Sequence, residues 1–121
     1  MQFAVRQDGP THVVTLAGDL QIDEGTQFHR RLAGLVGPAA PHLVLDLSGL
    51  EFINSEGLAA IVESRGTARQ FGGAVHLVNP KPHIERLLKV AHIDRLFFIH
   101  RTLEAALAAT GAAKPNDRNP G

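Results

Sequence analysis

Consecutive apolar residues in the middle of the chain predict a buried strand. Leu43, Val44 and Leu45 follow one another without a polar break. Such a run is typical of a strand that is covered on both faces, as in the interior of a parallel sheet. Ser48-Gly49 interrupts the run and predicts that the strand ends there.

A helix is expected to follow this strand, from about Glu56. Leu58, Ile61 and Val62 recur at the spacing of one helix face. Asn54 and Ser55, immediately upstream, are both residue types that favour the helix N-cap. Gly72-Gly73 predicts the end of the helix.

The remaining apolar positions predict four further strands and three further helices. Alternating or β-branched runs indicate the strands, and i, i+3, i+4 stripes indicate the helices. We therefore expect strands at 2–6, 11–17, 74–78 and 96–99, and helices at 24–36, 82–90 and 102–109.

The predicted element order is β-β-α-β-α-β-α-β-α. Two strands joined by the short turn Asp8-Gly9-Pro10 should be antiparallel, whereas strand–helix–strand units give parallel neighbours. The expected fold is an α/β domain over residues 1–111, with a mixed sheet and its helices mostly on one face. Residues 112–121 are polar and contain proline, which predicts a disordered tail.

Composition argues against several classes of function. Twelve basic and twelve acidic residues cancel, so no basic excess suggests direct nucleic-acid binding. The chain has no cysteine, and its first residues do not form a signal peptide. The longest apolar run is too short to cross a bilayer. We expect a cytoplasmic protein without membrane insertion.

No motif for catalysis or metal binding is present. The seven histidines form no local ligand pair, although a metal site assembled from distant positions stays open. Ser55 lies in no G-x-S-x-G elbow, and the chain has neither a P-loop nor G-x-G-x-x-G. We predict that the protein is not an enzyme, with no catalytic residues, no metal ligands and no cofactor; a small-molecule hydrolase is the least favoured hypothesis.

One segment carries a family resemblance. Leu45-Asp46-Leu47-Ser48, followed by Phe52-Ile53-Asn54-Ser55-Glu56-Gly57-Leu58, resembles the signature of STAS domains, and in particular of bacterial anti-sigma factor antagonists. The resemblance extends over about residues 3–109. It implies that Ser55, at the family's phosphorylation site, is the phospho-acceptor.

The resemblance also implies partners. The unphosphorylated form would bind an anti-sigma factor with serine kinase activity, phosphorylation of Ser55 would end binding, and a serine phosphatase would reset the system. The expected partner-binding residues lie in two segments: Asp19, Asp23, Asn54, Ser55, Glu56 and Gly57. Because Gly57 has no side chain, a partner could approach Ser55 closely.

Other interpretations of the same residues stay open. Ser55 and Asp23 are also typical helix caps, and Glu24 suits a first helical turn. Two positions depart from the family pattern, Gln21 where an acidic residue is usual and Glu56 where many antagonists carry Ser or Thr. A structural subunit of a lipid-transport ATP-binding cassette complex is the alternative function, although such relatives often have Asp-Thr-Ala-Gly-Leu at this segment.

Overall fold

A computed structural model describes residues 2–20 and 28–110. In these ranges the chain forms a five-stranded sheet, four α-helices and one short 3₁₀ helix. The elements, in chain order, are β1 Gln2–Asp8, β2 Thr11–Leu20, α1 Phe28–Leu35, β3 His42–Ile53, α2 Ser55–Gln70, β4 Val75–Val78, α3 Pro82–Val90, the 3₁₀ helix Asp94–Leu96, β5 Phe98–His100 and α4 Leu103–Thr110.

The sheet is mixed, as the element order predicts. The strands lie in the order β1-β2-β3-β4-β5; β1 pairs antiparallel with β2, and the other neighbours are parallel. β3 lies in the centre, where Leu43, Val44 and Leu45 are fully buried. The prediction of a strand covered on both faces is therefore confirmed.

The two faces of the sheet carry different cores, because neighbouring residues of a strand point to opposite sides. We call one side the leucine face, where α1, α2 and α3 pack on the strands; its strand residues include Leu16, Leu43, Leu45 and Leu77. We call the other side the valine face, where α4 packs on Val13, Val44 and Val78. Three of the four helices thus share one face, as expected.

Ser48-Gly49 does not end the central strand, which corrects the sequence-based prediction. β3 continues to Ile53, and its pairing with β2 takes in an extra β3 residue at two places. At the first of these the Asp46 carboxylate accepts hydrogen bonds from the Ser48 N–H at 3.0 Å and the Ser48 hydroxyl at 2.8 Å. Such bulges bend a strand without ending it. The polar pair therefore marks a change of register.

Several smaller boundaries also differ from the prediction. α2 begins at Ser55 rather than Glu56, and Leu96 belongs to the 3₁₀ helix, so β5 starts only at Phe98. β2 extends to Leu20 rather than residue 17. The predicted start of the first helix at Glu24 and the predicted tail at 112–121 lie outside the described residues.

The C-terminus of α2 ends in the way that Gly72-Gly73 predicts. Gly72 has φ +80°, and the N–H groups of Gly72 and Gly73 donate to the carbonyls of Arg69 and Ala68. This double hydrogen bond is the Schellman motif. A Cβ on Gly73 would lie 1.9 Å from the Pro41 carbonyl oxygen, so the backbone approach itself requires glycine.

Candidate functional site

The predicted site forms where β3 passes into α2. Asn54 is the single residue between the two elements, and it is the helix N-cap. Its side-chain oxygen accepts from the Gly57 N–H at 2.8 Å, and its own N–H donates to the Leu20 carbonyl at 3.1 Å. The first bond satisfies one of the N–H groups that a helix start leaves unpaired. The second fixes the cap to the end of β2.

Ser55 is the first residue of α2 and is exposed. The capping function belongs to Asn54, so Ser55 does not cap the helix. Within residues 2–20 and 28–110, the structure gives the Ser55 hydroxyl no hydrogen-bond partner. Its hydroxyl is therefore not needed to hold the helix in place.

Two exposed acidic residues lie at the same end of the sheet as Ser55. Glu56 is exposed in the first turn of α2, where the helix macrodipole favours a carboxylate. Asp19 is exposed near the end of β2 and lies opposite Phe52 in the register between β2 and β3. Of the predicted contact residues, the fold thus brings together Asp19, Asn54, Ser55 and Glu56. Asp23 lies outside the described residues.

Gly57 has a packing function at the start of α2. It is buried, and a Cβ there would lie 3.0 Å from Ile53 and 3.3 Å from both Leu20 and the Asn54 side-chain oxygen. The missing side chain allows the first turn of α2 to pack against the ends of β2 and β3. This packing accounts for the glycine, and the contact of Gly57 with a partner stays a prediction.

Phe52 is a residue that the sequence analysis did not place at the site. It is 46% exposed, although it is a large apolar side chain at the end of the central strand. Ile53, the next residue, is buried on the leucine face, so strand alternation turns Phe52 outward beside Asp19. Strand alternation could have predicted that Phe52 is exposed, but the strand was predicted to end at Ser48-Gly49, before it reaches Phe52.

The N-terminus of α3 contacts β3 close to the residues that lead into the Asn54 cap. His83 Nε2 lies 2.7 Å from the Glu51 carbonyl oxygen, and Lys81 Nζ lies 3.6 Å from the Glu51 carboxylate. Both contacts are exposed, so each contributes little to stability. They bring a cationic side chain to the strand that leads into the cap.

Three histidines meet on the valine side of the sheet, far apart in sequence. His76 Nδ1 and His100 Nε2 are 2.9 Å apart, and the His42 and His76 ring centroids are 6.4 Å apart. Burial and the neighbouring His100 and His42 lower the pKa of His76 to about 4. Among the described residues no group of three His, Cys, Asp or Glu could hold a metal ion.

The comparisons with known proteins agree with this geometry. The family model described as "Mlab, STAS domain" matches residues 3–110. The chain belongs to the STAS domain family. A Bordetella bronchiseptica protein named as a candidate anti-sigma factor antagonist, BtrV, is 29% identical to it over 103 residues, which are 85% of this chain and 89% of that protein.

Solved structures of this STAS family show the same fold. A candidate anti-sigma factor antagonist from Thermotoga maritima has a TM-score of 0.78 at 23% identity, over 89% of this chain and 93% of that one. The Bacillus cell-fate determinant SpoIIAA in its phosphorylated form has a TM-score of 0.72 at 18% identity, over 89% and 98%. At these identities the likeness establishes the fold alone. Within the part of the STAS chain that the structure describes, no helix is long and apolar enough to cross a membrane.

Proposed function

We propose that this STAS protein is an anti-sigma factor antagonist whose binding is switched by phosphorylation of Ser55. The unphosphorylated form binds an anti-sigma factor with serine kinase activity, and a serine phosphatase restores that form. The observation that carries the proposal is the exposed Ser55 at the first position of α2, next to a cap that Asn54 already supplies. The relatives named as candidate antagonists, and SpoIIAA in a phosphorylated form, support it.

The fold can accept a phosphate at Ser55 without rearrangement. The N-terminus of a helix carries unpaired N–H groups and a partial positive charge, which stabilise an anion there. The hydroxyl has no hydrogen-bond partner within the described residues, so its modification breaks no hydrogen bond among them. Because the cap is Asn54, α2 should keep its start in both forms.

The same phosphate would change the surface that a partner meets. It adds about −1.5 to −2 charges near neutral pH, next to Glu56 and at the end of the sheet that carries Asp19. Covering this charge with a partner costs free energy unless a cation on the partner compensates it. We therefore infer that binding ends through local repulsion and desolvation, without refolding of the domain.

The interface that we propose has an apolar anchor and an acidic rim. Phe52 supplies the exposed aromatic side chain; Asp19 is opposite it in the register with β2, and Glu56 follows Ser55 in the first turn of α2. Aromatic residues that become fully buried carry much of the energy of protein interfaces. A partner surface with an apolar pocket and basic residues would suit this patch.

The test compares variants of the serines with the kinase that copurifies with the protein. The chain has serines only at 48, 55 and 64; Ser64 is buried, whereas Ser48 and Ser55 are exposed. With kinase and ATP, wild type and Ser48→Ala should gain one phosphate and lose partner binding. Ser55→Ala should stay unmodified and bind constitutively. Equal modification of Ser55→Ala, or tight binding by phosphorylated wild type, would show that the switch is not Ser55.

Phe52 gives a second arm of that experiment. Phe52→Ala should weaken binding of the unphosphorylated form by about 2 kcal/mol or more, as loss of a central aromatic anchor does. Phe71→Ala is the matched control, because Phe71 is 41% exposed but lies at the opposite end of α2. Equal losses for the two variants would contradict the proposed interface.

A STAS subunit of a lipid-transport ATP-binding cassette complex remains the second candidate, because the matching family is described as Mlab as well as STAS. Affinity purification from the native cell separates the two. A serine kinase in the eluate, released when Ser55 is phosphorylated, supports the switch. A membrane ATPase that stays bound to both wild type and Ser55→Asp supports the transporter subunit.

A further inference from the structure

A cavity of about 250 Å³ lies at the end of the domain away from Ser55. It is formed by the C-terminal turns of α2, the start of β4, and the segment from the 3₁₀ helix to β5. Arg65 and Arg69 from α2 and Arg95 from the 3₁₀ helix line it. Ser55 and Arg69 are 14 positions apart on one helix, so the two regions are separated by roughly 20 Å at about 1.5 Å per residue.

The cavity is strongly cationic. No acidic residue lines it, and within residues 2–20 and 28–110 none of its three arginine side chains makes an ion pair or a hydrogen bond with another residue. Arginines elsewhere do have partners: Arg6 contacts Asp8, and Arg101 makes two hydrogen bonds to Glu85. Unpaired guanidinium groups that surround one space repel each other, and an anion in that space would relieve the repulsion.

The structure of the helix does not account for this grouping. A cation in the last turn of a helix is favourable, which explains Arg69. Arg65 is four positions earlier, however, and like charges at that spacing are unfavourable on a helix. Arg95 comes from a different element. The Schellman bonds from Gly72 and Gly73 already occupy the last carbonyls, so the arginines are not needed to cap them.

We propose that this cavity binds a small anion that carries a phosphate group. Guanidinium groups match phosphate oxygens with paired hydrogen bonds and stay charged at all working pH values. The volume is below the range of roughly 300–1,000 Å³ that is usual for drug-sized ligands, which favours a small molecule over a peptide segment. Leu96 and the buried Phe97 also line the cavity and offer an apolar wall for the rest of the ligand.

The site is independent of the proposed switch, because it shares no residue with the surface around Ser55. Its test therefore needs neither kinase nor partner. The ¹⁵N-labelled protein is titrated at pH 7 with inorganic phosphate, with pyrophosphate and with citrate, while sodium chloride keeps the ionic strength constant. We expect saturable shifts of the Gly73, Ala74 and Phe97 amides, with pyrophosphate binding most tightly and the Ser55 amide unchanged.

Two exposed arginines supply the variants. Arg69→Gln and Arg95→Gln should each weaken pyrophosphate binding about tenfold or more, since a hydrogen bond to a charged group is lost. Arg86→Gln removes the same charge from the exposed surface of α3, outside the cavity, and should bind as wild type does.

Three results would overturn the proposal. The first is no saturation by phosphate or pyrophosphate. The second is an equal loss of affinity in Arg86→Gln, because net charge alone would then account for binding. The third is saturation by citrate with none by either phosphate probe, which would make the site a carboxylate site.

Discussion

The leucine face and the valine face of the sheet are built from the same strands but differ in the number of helices that cover them and in the size of the side chains that they bury. On the leucine face, three helices cover long side chains and leave room for large residues such as Leu45 and Ile61. On the valine face, the single helix α4 contributes the fully buried Ala106 against shorter side chains such as Val44. Small residues permit the close approach of one short helix.

Coverage also determines which polar groups the two faces tolerate. α4, with only eight residues, covers only part of the valine face. His42, His76 and His100 lie on the same side of the sheet as Val44 and Val78. The His76 and His100 rings share a hydrogen bond and stack on each other, so these polar groups have partners in the fold. The face with three helices has a large apolar core, whereas the other one combines a small core with titratable groups.

The largest expected effect separates two neighbouring residues of β3. Leu45→Ala removes a fully buried side chain from the leucine face and should lower the free energy of unfolding by roughly 2–5 kcal/mol. Val44→Ala removes two side-chain carbons from the valine face, whereas Leu45→Ala removes three from the leucine face, so Val44→Ala should cost less. Urea denaturation of both variants measures the difference, and an unchanged midpoint for Leu45→Ala would contradict the buried central strand.

Acid should destabilise the valine face through His76. Burial and the neighbouring histidines lower the pKa of His76 to about 4 in the fold, from 6.5 for a free side chain. The unfolded chain therefore binds more protons between these values, so stability is full above about pH 6.5 and falls as the pH approaches 4. The loss amounts to about 3 kcal/mol. Urea unfolding at several pH values from 7 to 4 measures it.

A variant separates this effect from the titration of carboxylates. His76→Phe keeps an aromatic ring in the stack with Phe98 but cannot take up a proton, so its stability should depend less steeply on pH. His92→Gln is the control, because His92 is exposed in the turn after α3. If His76→Phe and wild type lost stability in parallel, the histidine cluster would not be the acid-sensitive element.

The close approach of α4 can be tested by enlarging Ala106. Ala106→Leu places a longer side chain against the valine face and should destabilise the fold by about 1–3 kcal/mol through overpacking. Ala105→Leu makes the same change at an exposed neighbour and should leave stability almost unchanged. Thermal unfolding of the pair gives the comparison, and similar melting temperatures would show that α4 has free space beneath it.

The smallest effect is expected for deletion of residues 112–121. This segment follows α4 in the chain and has no apolar stripe to bury against either face. Its removal should change the free energy of unfolding by less than about 0.5 kcal/mol, as changes away from packed features do, and leave partner binding intact. A clear drop in the melting temperature would mean that these residues cover part of the valine face.

Local patterns in the sequence determined much of the fold. Apolar periodicity is enough to predict β3 and the buried stripes of α3, because a strand or helix must bury one side whatever its neighbours are. The start and stop of α2 are also local, since the Asn54 cap and the Gly72 turn involve residues a few positions apart. The sequence alone therefore predicts that Ser55 lies at the start of a helix. The family motif points to the same residue as the candidate phospho-acceptor.

Only the tertiary structure decided the features that depend on pairing between distant segments. The register with β2 carries β3 past Ser48-Gly49 and turns Phe52 outward, while the ends of β2 and β3 make Gly57 a packing position. The histidine cluster joins three strands, and the arginine cavity joins α2 to the 3₁₀ helix. Local pattern cannot specify these contacts, because a sequence shows which face a residue takes but not which distant residue lies opposite it.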